Sequence, residues 1–193
     1  MNPPVTPEER ELIGRQLGRP PRALVAVAHR CPCGQPDVVE TAPRLEDGTP
    51  FPTLYYLTCP RATAAASRLE AAGRMREWQD ELGTDPELAA RYRAAHERYL
   101  AERDARAVLP TRSTAGGMPD RVKCLHALAG HALAAGPGVN PVGDRAVTEM
   151  GEWWAGGPCA QDREDDGRAS TAASASDRGA ERGRSRAVGE EGA

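Results

Sequence analysis

A chain of 193 residues, 39% hydrophobic and 27% charged, has material for one modest domain. Its formal net charge of −3 mixes both signs, which gives no electrostatic argument for a nucleic-acid or anionic-membrane partner. No apolar run is long enough for membrane insertion, and the N-terminus leads into a charged helix rather than a signal sequence, so a cytoplasmic location is expected.

In chain order, Thr6-Pro7-Glu8-Glu9 is a capping-box start for a helix that runs to Leu17 and stops at Gly18. Residues 22–28 read as a buried strand through Leu24, Val25 and Val27. Residues 36–41 form a second strand with Val38 and Val39, and the β-rich run 53–58 a third. The turn signature Glu46-Asp47-Gly48-Thr49 lies between the last two, so an antiparallel meander follows. Helical periodicity covers 61–82 and 86–108, the latter capped by Asp85. Further helices are expected over 119–135 and 145–154. The fold class is therefore α+β, a small three-stranded antiparallel sheet packed with several helices. From Gly156 onward there is no Leu, Ile, Met or aromatic residue, so the expected division is one domain over 1–155 and a disordered polar tail over 156–193.

The chemistry centres on cysteine. Cys31-Pro32-Cys33-Gly34 places two soft ligands at the end of the first strand, and Cys59 follows the third. A meander brings these two ends to one sheet edge. Cys124, in the predicted 119–135 helix, is the expected fourth ligand, and Cys159 in the polar stretch is set apart. Four thiolates suit Zn²⁺ or an iron-sulfur cluster, in a structural or regulatory role. His126 and His131 are alternative ligands or groups facing the site; Cys124 and His131 would lie about 10 Å apart along a helix, too far to share one ion.

Two other readings stay open. Free cysteines are often buried as small hydrophobes. Alternatively, one thiol is the nucleophile of an enzyme, with His126 or His131 as base and Arg30, Arg44, Arg61, Arg121 or Lys123 binding an anionic phosphate or carboxylate substrate. Trp153 and Trp154 offer a surface for a protein partner.

The runs Arg30-Cys31-Pro32-Cys33-Gly34, Asp47-Gly48-Thr49-Pro50-Phe51-Pro52-Thr53 and Leu54-Tyr55-Tyr56-Leu57-Thr58-Cys59-Pro60 resemble an actinobacterial domain family of unknown function, DUF501. The resemblance continues in Gly116-Gly117-Met118-Pro119, Arg121-Val122-Lys123-Cys124-Leu125-His126 and Gly136-Pro137-Gly138-Val139-Asn140-Pro141, and covers nearly all of 8–150. It implies the cytoplasm of a high-GC Gram-positive bacterium and no particular activity.

Overall fold

The computed structural model describes residues 4–111 and 115–160; the tail expected beyond 160 lies outside the described residues. Helix α1, Pro7–Leu17, begins as its sequence requires, with the Thr6 hydroxyl accepting from the Glu9 amide and the Glu9 carboxylate accepting from the Thr6 amide. It leads into strands β1, Leu24–Arg30, β2, Pro36–Thr41, and β3, Tyr55–Leu57. These pair in the order β1-β2-β3, antiparallel throughout, with Val39 opposite both Val27 and Tyr56 and Val38 opposite Leu57.

Every residue of β2 is buried, which a strand with one wet face would not show. The cause is a helix layer on each side. Val27, Val39 and Tyr56 pack with Ile13 and Leu17 of α1, while Val38, Tyr55 and Leu57 face the main core. That core is built by α2, Pro60–Ala71, α3, Arg74–Thr84, α4, Pro86–Asp104, α5, Leu125–Ala135, and α6, Pro141–Met150. Among the described residues, no helix is long and apolar enough to cross a membrane.

The three-stranded sheet with helices follows the sequence expectation, but helix boundaries differ: the last helix spans Pro141–Met150 rather than 145–154, the helix from Pro86 ends at Asp104 rather than 108, and two differences bear on the site. The single helix expected over 61–82 is two, because Gly73 takes a φ of 85° and turns the chain between α2 and α3. The helix expected from residue 119 begins at Leu125 instead. Its intended first turn is occupied otherwise: the Arg121 and Lys123 amides donate back to Gly117 and Gly116 carbonyls, and the Val122 amide donates to Gln79 Oε1. Cys124 thereby becomes the N-cap residue of α5 rather than an interior one.

Helix α5 is the central element, with Leu125, Leu128, Ala129, Gly130, His131 and Ala132 all buried. A Cβ on Gly130 would stand 3.6 Å from the Leu57 amide nitrogen and 3.7 Å from the Tyr55 carbonyl oxygen, so the helix lies directly on the β3 backbone. On its other side α6 comes closer still: a Cβ on Gly143 would be 2.3 Å from the Leu128 carbonyl oxygen. Gly143→Ala should therefore lower unfolding stability by about 1–3 kcal/mol, since neither backbone can yield cheaply. Gly83→Ala is the matched control, because a Cβ there meets nothing within 4 Å and α3 gains a better helix former worth up to about 1 kcal/mol. Denaturant titration of both variants should show opposite shifts in midpoint.

Candidate functional site

The Cys31 turn is closed by backbone bonds from the Gly34 amide to the Cys31 carbonyl (2.8 Å) and from the Cys31 amide to the Gln35 carbonyl (2.9 Å). Gly34, at a φ of 88°, permits that reversal. Cys59 follows β3 and caps α2, its sulfur accepting from the Ala62 amide at 3.5 Å. Both positions are as the meander requires. Cys159, which the sequence reading set apart, joins them: its sulfur lies 3.5 Å from that of Cys33 and 3.8 Å from that of Cys31. The Cys31, Cys33 and Cys159 sulfurs all lie within 4.8 Å of one another, and Cys59 is near enough to shift the Cys159 thiol. This cysteine cluster could hold a metal ion.

Polar contacts help to hold residues 156–160 at the cluster. Arg61 donates to the Gly156 carbonyl (3.0 Å), and the Ala160 amide donates to Gln35 Oε1 (2.8 Å). The packed chain thus extends past the boundary expected at 155. Burial pushes the Cys31 thiol up to about 11, and the neighbouring Cys59 thiol together with burial pushes Cys159 up further. Cys59 is lowered by its bond from Cys159, against burial, with amides of α2 assisting. Cys33 is also lowered, because amide and thiol donors outweigh its burial.

Cys124 is elsewhere. It forms a second group with Glu70 of α2 and His126 of α5, the correction to the expected ligand set following from the later start of that helix. His126 Nδ1 lies 3.0 Å from Glu70 Oε1 and 3.9 Å from the Cys124 sulfur. The same Glu70 oxygen accepts the Leu125 amide at 2.7 Å. His126 Nε2 meets the Thr63 carbonyl at 3.1 Å and the Ser67 hydroxyl at 3.2 Å. Burial raises the Cys124 thiol, but His126 and the Ala127 amide outweigh it and the net direction is down. The contact with Cys124, reinforced by Glu70, carries His126 up to about 9. A cavity of about 420 Å³ opens on Cys124 and His126 beside β3.

His131 belongs to neither group. It is fully buried, stacked on Tyr55 at 6.0 Å and edge-on to Tyr99 at 5.1 Å. Asn140 Oδ1 accepts the Gly143 amide, so its Nδ2 donates to His131 Nδ1 (3.2 Å), which leaves the hydrogen on Nε2. The anion-binding candidates are likewise dispersed. Arg30 pairs with Glu9, Arg44 donates to the Gly48 carbonyl, and Arg121 and Lys123 flank Gly117 on the exposed loop before α5. Trp153 is buried in the main core with Trp154 packed edge-on at 4.7 Å, which removes it from any exposed surface.

The model of the family described as "Protein of unknown function (DUF501)" matches residues 27–148. The chain belongs to the DUF501 family. The matched segment takes in Cys31, Cys33, Cys59 and the whole Glu70–Cys124–His126 group, and stops before Cys159. No curated protein and no solved structure matches this DUF501 chain. Sequence reasoning missed Cys159 and Glu70. For Glu70 the signal was available in principle: a lone acidic residue near the apolar side of α2, one turn after Ser67.

His131 supplies a test of the interior. Burial lowers it to about 4, from an ordinary value near 6.5, so the folded chain binds fewer protons than the unfolded one between those values. Its contribution is fully present above about pH 6.5 and is lost as pH falls toward about 4, amounting to about 3 kcal/mol. In His131→Gln the fall in unfolding midpoint across that window should be visibly flatter than in the wild type.

Proposed function

We propose that this protein binds one Zn²⁺ through Cys31, Cys33, Cys59 and Cys159, in a structural role. The observation that carries this is sulfur spacing. Bonds of about 2.3 Å in a tetrahedral zinc site separate its sulfurs by about 3.8 Å. Cys159 stands 3.5 Å from Cys33 and 3.8 Å from Cys31, and Cys59, at the start of α2 beside them, is the fourth thiol of the proposal. An iron-sulfur cluster interposes several iron and sulfide atoms and spreads its thiolates wider, which favours a single ion.

The pattern of protons supports the same reading. Cys33 and Cys59 are held below the ordinary thiol value and Cys31 and Cys159 above it, and a divalent ion would displace the protons still bound. The Cys31 turn, the start of α2 and residues 156–160 would then be tied at one point. A reducing compartment, the cytoplasm, keeps such thiols available.

Elemental analysis of the purified full chain should give one zinc per molecule and no colour from iron. Cys31→Ser, Cys33→Ser, Cys59→Ser and Cys159→Ser should each lose zinc and melt well below wild type. Cys124→Ser should keep its zinc. Retention of full zinc by Cys159→Ser would overturn the assignment.

A further inference from the structure

The Glu70–Cys124–His126 group has a charge problem that its hydrogen bonds define. A carbonyl oxygen only accepts, so the Thr63 contact at 3.1 Å requires a hydrogen on His126 Nε2. The other ring nitrogen, Nδ1, then faces Glu70 Oε1 at 3.0 Å and the Cys124 sulfur at 3.9 Å. Glu70 Oε1 already accepts the Leu125 amide, as an ionised carboxylate does. A bare Nδ1 would set its lone pair against that oxygen. The ring must therefore carry its second proton and be an imidazolium.

An ion bridging the three groups would supply the same charge, and the zinc content of Cys124→Ser distinguishes that case. The observed 3.0 Å is a direct N–H···O bond. An imidazolium beside a cysteine at the N-cap of an 11-residue helix favours its thiolate. This pair opens on the 420 Å³ cavity, a size suited to a small ligand. Among the described residues, no Asp, Glu, Lys or Arg lines that cavity; its wall is built from Thr53, Tyr56, Leu57, Thr63 and Ala127.

We propose that Cys124 is the nucleophile of an acyl-transfer site in which His126 is the general acid–base and the cavity beside β3 receives an uncharged ester or thioester acyl group. The Cys124 thiolate attacks the carbonyl carbon and forms the S–C bond. The bond from that carbon to the alkoxide or thiolate leaving group breaks, and the leaving group takes the proton from His126 Nδ1. Water then adds to the acyl carbon, giving one proton to His126, and the Cys124 thiolate departs as the carboxylic acid forms. Glu70 is a positioning residue: it orients the imidazolium and stabilises its charge.

The test uses the zinc-loaded full chain and 4-nitrophenyl butyrate near neutral pH. Nitrophenolate release should coincide with one butyryl group on Cys124, located by peptide mass mapping, at a rate roughly tenfold or more above that of glutathione. His126→Ala should slow this acylation by roughly a hundredfold, with its melting temperature and zinc content recorded alongside. In Glu70→Gln the alkaline limb of the acylation–pH profile should move to lower pH, since Glu70 and Cys124 are the charged groups facing the ring. Acylation of Cys124 no faster than glutathione, or His126→Ala reacting at the wild-type rate, would overturn the proposal. So would loss of zinc from Cys124→Ser, which would make Cys124 a metal ligand. Zinc content of the four other cysteine variants reports on the structural ion separately.

Discussion

The close seating of α5 between β3 and α6 is the constraint on which the rest of the molecule depends. Ala129, Gly130 and Ala132 are small enough for the helix to lie against the Tyr55 and Leu57 backbone, and Gly143 lets α6 approach the Leu128 carbonyl. A helix this apolar cannot remain on a surface, and once it is central its ends and flank are fixed in place. Its N-terminus delivers Cys124 and His126 to Glu70, and its middle sets His131 among Tyr55, Tyr99 and Asn140. The aromatic cluster is then shared: the Tyr99 hydroxyl accepts the Leu54 amide, tying α4 to the entry of β3.

The two cysteine groups illustrate how surroundings divide one residue type between two chemistries. Cys31, Cys59 and Cys159 are sealed from solvent, and each thiol has other thiols as neighbours. Such a sealed group of thiols suits a closed site. Cys124 is half-buried, its neighbour is an imidazole rather than a thiol, and it faces open space. A thiolate there has an internal counter-charge and a route for a small molecule to reach it.

The sheet was legible because strand signals are local: Val38-Val39 and Tyr55-Tyr56-Leu57 declare themselves within a few residues, and the strand ends then placed Cys31, Cys33 and Cys59. The break at Gly73 was not, since helical periodicity continues in phase across it. The start of α5 was misplaced for another reason. Residues 119–124 have helix-compatible composition, yet their amides are taken by Gly116, Gly117 and Gln79, partners that exist only in the folded chain. Because that boundary sets which way Cys124 faces, one local error moved a residue between sites. Cys159 was hidden by averaging, as its polar, glycine-rich neighbours describe a segment without a core of its own.

That last failure has a physical counterpart. Residues 151–160 bury little beyond Trp153 and Cys159, while fixing each backbone residue costs about 1–2 kcal/mol of conformational entropy. The bonds from Arg61 and Gln35 offset about 1 kcal/mol each at best, being partly exposed. Hydrophobic packing alone is a weak reason for this strand of chain to return across the cluster. The proposed ion would change the balance, because coordination would act only when Cys159 has arrived and so place its whole free energy on the ordered state. Composition-based reading looks for segments that order themselves by apolar burial. A segment held through one thiol and a few polar contacts leaves no such trace, so Cys159 stood in the stretch least promising for structure.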